Sequence, residues 1–278
     1  MFDLDAYLAR IRLPLAPSAD AEGLAILQRA HRLAIPFENL DIPLGRPIRI
    51  DSDSVFAKLV TAGRGGYCFE HGQLFLDALE ALGFEARPLL ARVWLGAGEH
   101  VPPLTHTLAV VSIEGQEWIA DAGFGGSYAP PMPLAEGEEA GAPDGARFRL
   151  AHDPLFGWML TRNGDPASTD GRTSATADGW AQQYSFTLAP VFPADLALSN
   201  YWISTAPESR FVQHRIVSVP LPHGFATLTD KLYRRRNGDQ AAEAEISDPR
   251  VYRMRLSMMF GIDLSAEEAE RLMETKTA

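Results

Sequence analysis

The sequence predicts an α+β protein with three unlike thirds, and three observations carry that reading. Apolar residues recur at helical spacing as far as Gly83, alternation and turn signals dominate from there to about Leu188, and the remainder mixes both patterns. The segments that follow are a helical bundle over 1–84, a mostly antiparallel β domain of barrel type over 85–192, and a mixed α/β segment over 193–278. At the first junction, Gly63-Arg64-Gly65-Gly66 leads into Tyr67-Cys68, the only cysteine of the chain.

Composition narrows the function class. With 46% hydrophobic and 22% charged residues, the 278-residue chain has the make-up of a soluble globular protein. A net charge of -11 opposes nucleic acid and anionic membrane as partners. One cysteine excludes an intramolecular disulfide framework and fits a reducing compartment. No apolar leader opens the chain, and no stretch approaches the ~20 apolar residues of a membrane span. The expectation is a cytoplasmic protein. The seven histidines show no paired spacing, so no metal site is expected. Neither a P-loop nor a complete GxGxxG is present.

Each element follows from its local pattern. Leu4, Tyr7, Leu8 and Ile11 predict a helix ending before Pro14, and Leu24, Leu27 and His31 a second one after Ser18 and Asp20, with His31 at the edge of its apolar face. A third starts near Ser52 or Ser54 with Val55, Phe56, Leu59 and Val60. Residues 35–43, with two prolines and polar insertions, read as a structured loop. Phe84–Leu95 predicts a strand. Leu104–Ile113 and Gln116–Asp121 predict a hairpin about Glu114-Gly115. Pro130, Pro131 and Pro133 open a long acidic loop over 135–145, and weaker strands follow at Ala146–Ala151, Leu155–Arg162 and Tyr184–Leu188. A helix over Asp195–Ile203 precedes strands at Phe211–Val219 and Phe225–Arg234, then a turn at Asn237-Gly238. Asp248-Pro249 starts a helix that Gly261 stops, and Ser265 with Glu268 makes a capping box for the last one. Arg234-Arg235-Arg236 reads as a solvated strand end, with a phosphate contact as the alternative.

Chemistry concentrates around the cysteine. After Cys68, the residues Phe69, Leu74, Phe75, Leu76, Leu79 and Leu82 line a helix stopped by Gly83, so Cys68 stands at a helix N-terminus. The unpaired N–H groups and positive dipole there favour a thiolate, and Arg64 lies near enough in sequence to help. Locally, Cys68 is either a reactive thiol or a small buried hydrophobe. A thiolate needs a base, and the base a third group to orient it. If Glu114-Gly115 is a two-residue turn, Ile113 pairs with Gln116 and Leu108 with Asp121, which puts His106 one diagonal step from Asp121 on the same face. Among apolar neighbours, that carboxylate is costly unless paired. His71 is the rival base, but its side chain diverges from Cys68 along the helix.

These residues resemble the arylamine N-acetyltransferase family. The resemblance spans IPFENLDI at 35–42, RGGYCFE at 64–70, THTLAV at 105–110, DAGFGG at 121–126 and NYWISTAPESRF at 200–211. It implies a catalytic triad of Cys68, His106 and Asp121, and a papain-like core in which the helical bundle and β-barrel are joined by a C-terminal α/β lid. Acetyl-CoA is implied as co-substrate, with no metal, and an arylamine or arylhydrazine as acceptor. Phe37, Val93, Thr105 and Phe124 are implied in the acceptor wall; Gly125 and Gly126 beside the CoA thiol arm, with Tyr201 and Trp202 closing from the lid. Two departures stand out: Gly72, where the family has asparagine, and Ala122, where it has valine. Gly72 is expected to loosen the nucleophile helix by about 1 kcal/mol. A hydrolase or transglutaminase-like enzyme, an amide synthase that closes a macrocycle, and a non-catalytic binding protein remain alternatives on the same residues.

Overall fold

The structure, a computed structural model, describes residues 2–166, 169 and 179–274. Residue 1, residues 167–168 and 170–178, and residues 275–278 of the three expected segments lie outside these. The first third is helical, and carboxylates start its helices. Asp3 accepts from the Ala6 N–H at the head of α1 (Leu4–Arg10), and Asp20 from Gly23 at the head of α2 (Ala21–Ala34). Asp51 does the same for α3 (Ser52–Phe56), which widens into a π turn over Ala57–Thr61 rather than continuing as α-helix. Each such cap contributes about 1 kcal/mol. Then α4 (Cys68–Ala81) begins at the cysteine.

The middle of the chain forms an eight-stranded antiparallel sheet. Its strands are β2 (Glu85–Val93), β3 (Leu104–Ile113), β4 (Gln116–Ala120), β5 (Met132–Pro133), β6 (Glu139–Gly141), β7 (Arg147–Asp153), β8 (Gly157–Asn163) and β9 (Ala181–Phe186), in the order β5-β4-β3-β2-β9-β8-β7-β6. The acidic loop thus contains a short strand, β6, which the sequence does not announce. Leu89, Leu108, Val110, Phe148, Leu150, Leu160 and Phe186 fill the inside of this curled, barrel-like sheet. Ala109, Val111, Ile113 and Ala120 pack from its outer face onto α1, α2 and α4. Because β3 is buried on both faces, it is apolar throughout its centre rather than alternating.

A second sheet joins the two ends of the chain. The loop at 35–43 holds a two-residue strand, β1 (Phe37–Glu38), hydrogen-bonded to β10 (Ile216–Leu221), and β11 (Gly224–Thr229), β12 (Leu232–Asn237) and β13 (Gln240–Glu245) continue the order. Two expectations are corrected here. Phe211–Val219 is not one strand: α6 (Arg210–Gln213) is a helical turn capped by Ser209, and the strand begins only at Ile216. Phe225–Arg234 divides at Asp230, whose φ of 53° turns the chain between β11 and β12. Preceding this sheet is α5 (Pro193–Thr205), and α7 (Pro249–Phe260) and α8 (Ala266–Glu274) cover it through Tyr252, Leu256, Phe260, Leu272 and Met273. Ser265 and Glu268 exchange the two hydrogen bonds of a capping box. Among the described residues no helix is long and apolar enough to cross a membrane.

The helical core is not wholly apolar. His31 is fully buried, not at a face edge as its spacing implied, and belongs to a hydrogen-bonded chain. His71 Nε2 lies 3.2 Å from the Pro36 carbonyl, which can only accept, so Nε2 carries the proton and Nδ1 does not. His31 Nε2 therefore donates to His71 Nδ1 at 2.8 Å, and the Tyr7 hydroxyl donates to His31 Nδ1 at 2.9 Å. One carbonyl fixes both tautomers. Burial lowers His71 to about 3 and His31 well below its ordinary value, with the Arg10, Arg32 and Lys58 charges adding to the effect on one or both rings.

The sign for stability follows. Unfolded histidines bind protons below about pH 6.5, and this native pair refuses them, so its contribution is complete above that pH and is lost progressively as pH falls toward 3. Each histidine costs up to about 1.4 kcal/mol per pH unit in that window. Urea midpoints measured from pH 7.5 to 5.5 are expected to stay nearly level above about pH 6.5 and to fall below it. In His71→Gln, which keeps a donor for Pro36, the slope is expected to drop by about one proton. Equal slopes in the two proteins would assign the acid sensitivity to other groups.

Candidate active site

The cysteine is held by the turn that precedes it. Glu38 accepts the Arg64 guanidinium at 2.6 and 3.0 Å, and the Glu38 N–H donates to the Gly66 carbonyl at 2.8 Å, locking the loop at 35–43 to the glycine turn. Arg64 is thereby turned toward Glu38 and Asp41 and is not an electrostatic partner of the thiol. At the start of α4, Glu70 accepts the Tyr67 N–H at 3.0 Å and the Lys58 ammonium at 2.7 Å. The Tyr67 hydroxyl donates to the Asn200 side chain, tying the turn before Cys68 to α5.

Cys68 is the first residue of α4 and is buried. Its sulfur lies 3.7 Å from the Thr105 carbonyl, the geometry of a thiol donating there. Burial pushes the thiol well up, and the charge of Asp121 adds to the effect. Desolvation in this buried setting opposes the favour of the helix N-terminus, so helix position alone does not account for a thiolate at Cys68.

His106 comes from β3, and its surroundings define which nitrogen is available. The hairpin has the register that its turn predicts, with Ile113 opposite Gln116 and Ala109 opposite Ala120, so Asp121 follows the last pair. Asp121 Oδ2 accepts from His106 Nε2 at 2.7 Å, and Oδ1 accepts from the Gly123 N–H at 2.9 Å. Burial alone would raise the Asp121 carboxyl, but His106, that N–H and Arg32 together hold it below the usual carboxylate range. With Nε2 on Asp121, Nδ1 is the nitrogen left for another group. Phe124 and Tyr184 pack on the imidazole with centroids 5.2 Å away, which confines its rotation. A β-bulge precedes it: Ala91 pairs with His106 but Arg92 with Leu104, so Thr105 is the extra residue. That bulge aims the Thr105 carbonyl at the sulfur.

Close backbone approach explains two glycines. A side chain at Gly123 would meet the Cys68 carbonyl oxygen at 2.9 Å and its Cα at 3.0 Å, so the 121–126 segment lies directly on the first turn of α4. Gly72 has a packing reason beside its low helix propensity. A Cβ there would meet the Thr107 methyl at 2.8 Å, so glycine permits α4 to press against β3.

Cys68 and His106 open on one cavity of about 390 Å³. Phe37, Val93, Thr105, Phe124, Gly125, Gly126 and Trp202 line it as well. Tyr201 does not: it is 67% exposed on the other side of α5, since adjacent helix residues point about 100° apart. His71 is also elsewhere, on Pro36 and His31. Sequence reasoning missed Glu208, Arg210, Phe211 and His214 in the lining, the last two hidden by the strand expected at Phe211–Val219. Among the described residues no cluster of side chains suits a metal ion.

Known proteins place this arrangement in a class. The N-acetyltransferase family model matches residues 20–269. The arylamine N-acetyltransferase of Escherichia coli K12 is 36% identical over 242 residues, covering 86% of this chain and 81% of the relative. Arylamine N-acetyltransferase from Salmonella typhimurium superposes with a TM-score of 0.87 at 32% identity, over 97% of each chain. The Mycobacterium marinum arylamine N-acetyltransferase in complex with CoA gives 0.87 at 27% identity, over 99% of this chain and all of that one. The chain belongs to the arylamine N-acetyltransferase family.

The cavity makes a prediction about the thiol. A buried cysteine forms a thiolate only if its proton moves to a nearby group, and His106 is the imidazole on the same cavity. Iodoacetamide is expected to label wild-type Cys68 readily at pH 7. In His106→Ala, labelling should fall by about 100-fold, because the thiol loses the group that takes its proton. Unchanged labelling in folded His106→Ala would show the thiol to be independent of the imidazole.

Proposed function

We propose that the protein transfers the acetyl group of acetyl-CoA to the nitrogen of arylamines and arylhydrazines, through an acetyl-Cys68 intermediate. The observation that carries this reading is the shared cavity of Cys68 and the His106–Asp121 pair, in a chain of this family. Cys68 is the nucleophile. Its proton passes to His106 Nδ1, and the thiolate attacks the thioester carbonyl. The tetrahedral intermediate then breaks its bond to the CoA sulfur, which leaves with the proton held by His106. In the second half, the amine nitrogen attacks the acetyl carbon, His106 takes a proton from it, and the Cys68–acyl bond breaks. Asp121 fixes the tautomer and offsets the imidazolium charge in both halves.

Other residues have supporting roles. The Cys68 N–H belongs to a first helical turn, whose N–H groups have no intrahelical acceptor, and it serves the developing oxyanion. Phe37, Val93, Thr105 and Phe124 form the wall for a flat acceptor. Gly125, Gly126 and Trp202 border the path of the CoA thiol arm. The single cysteine and the charge of -11 support a reducing, cytoplasmic location without nucleic acid or membrane as partner. Residues 1–84, 85–192 and 193–278 are then the units that supply the nucleophile, the His–Asp pair and the lid.

Two measurements test the scheme. With acetyl-CoA alone, intact-mass spectrometry should show one acetyl group per chain, carried on Cys68, and an added arylamine should discharge it. Intersecting rather than parallel double-reciprocal lines, with no acetylated Cys68, would replace it by direct transfer. Asp121→Asn should reduce turnover by roughly 10⁴, the loss seen when the corresponding aspartate of a serine protease is replaced. Activity within about tenfold of wild type in folded protein would remove Asp121 from the mechanism.

A further inference from the structure

Helix α2 presents Gln28 and Arg32, four residues apart on one face, to the segment 121–129 that follows β4. Both side chains are buried, at 0% and 1% exposure. Gln28 Oε1 accepts the Asp121 N–H at 2.7 Å, while Nε2 donates to the Ala129 carbonyl at 2.7 Å. One amide thus holds both ends of the segment. Arg32 Nη2 donates to the Gly126 carbonyl at 3.0 Å, in its middle. Arg32 Nη1 is buried and has no hydrogen-bond partner among the described residues.

A guanidinium in a dry interior is costly and needs an anion nearby. Burial lowers Arg32, and Asp121 is the foremost group opposing that, ahead of the phenols of Tyr128 and Tyr184. The titratable groups about Asp121 are His106 from β3, Cys68 from α4, Tyr184 from β9 and Arg32 from α2. About Arg32 itself lie Asp121, Tyr128, Tyr184, and the two buried histidines, His31 and His71, whose protonation it opposes. Arg32 is the only fixed cation acting on Asp121 in this set.

We propose that Gln28 and Arg32 are positioning residues of the acetyl-transfer site: they clamp the 121–129 segment onto α2, and Arg32 supplies the positive charge that keeps the Cys68–His106–Asp121 cluster ionised for reaction. This rests on the acetyl-cysteine reading above. In the reactive state the thiolate, imidazolium and carboxylate sum to one negative charge, which Arg32 neutralises. Without it, taking up a proton becomes easier and the thiolate is lost at higher pH. Gln28 carries no charge and acts through geometry alone.

The test is the rate of Cys68 acetylation by acetyl-CoA as a function of pH, followed by intact mass, with kcat and KM for an arylamine. In Arg32→Met the acid limb should move to higher pH by about one unit, and the rate below that limb should fall about tenfold. Arg32→Lys keeps the charge and loses the fork, so its acid limb should stay in place while the rate falls at every pH. Gln28→Leu should behave like Arg32→Lys, with a lower kcat and an unmoved limb. An acid limb in folded Arg32→Met that coincides with wild type would overturn the electrostatic role. If Arg32→Met does not fold, Arg32→Lys and Gln28→Leu decide the clamp, and rates within about twofold of wild type in both would overturn it. Wild-type protein that takes no acetyl group would instead sink the underlying reading, a result distinct from unaltered variants of an active enzyme.

Discussion

Asp121 is a carboxylate almost without water, and much of the architecture around the cavity follows from keeping it charged. An ion that loses its hydration pays several kcal/mol unless donors replace the water. Here an imidazole and a backbone N–H take its two oxygens, while its own N–H is held by Gln28. These partners come from β3, from the segment after β4 and from α2. The β3–β4 hairpin must therefore lie between helix and barrel, and its strands are buried from both sides. The helical third and the sheet do not form separate cores in this region: Ala109, Val111 and Ala120 share one with Leu24, Leu27 and Phe75.

A second charged cluster holds the turn that carries Cys68. Glu38, Asp41 and Glu70 face Lys58 and Arg64, most of them well buried. Removing one member would leave an uncompensated charge, which is the costly case for buried ions. The cluster joins the loop at 35–43, the π turn and the first turn of α4. The same loop carries Phe37 to the edge of β10, and its ring lies parallel to His71, with centroids 6.3 Å apart. Phe37 and Cys68 are thus positioned by one set of ion pairs, and the second sheet is built onto them.

What was legible in the sequence depended on local rules. The Cys68 turn could be read because glycine, then a periodic apolar run, marks a helix start. The His106–Asp121 pair could be read because a two-residue turn fixes register and side chains alternate with period two. Features set by distant partners could not. Strand β1 has two residues and exists only because β10 lies beside it, and Arg64 finds its charge partner 26 residues away. Thr105 becomes a bulge through its pairing with β2, which no local signal records. His31 looked like a face-edge residue because the Tyr7 and His71 groups that satisfy it come from other helices. Trp202 and Tyr201 were indistinguishable in sequence; only the orientation of α5 puts one in the cavity and the other in solvent.

Dryness of the site has two opposed effects, and the acetyl-transfer scheme needs both. It raises the thiol, and in the proposed scheme Cys68 reacts once His106 takes its proton. A generic low-pKa cysteine would be reactive toward any electrophile; in the scheme this one depends on a base that itself depends on Asp121. The same exclusion of water protects a thioester on Cys68, because hydrolysis needs a water beside His106 where an amine should sit. Phe124 is buried against the imidazole, and Phe37, Phe211 and Trp202 border the cavity from the other elements. A flat apolar amine can replace that surface contact with its own, whereas water loses hydrogen bonds on entry and gains little. In the proposed scheme the aromatic part of the wall therefore favours an amine over water, while Glu208, Arg210 and His214 bring polar groups to the same lining.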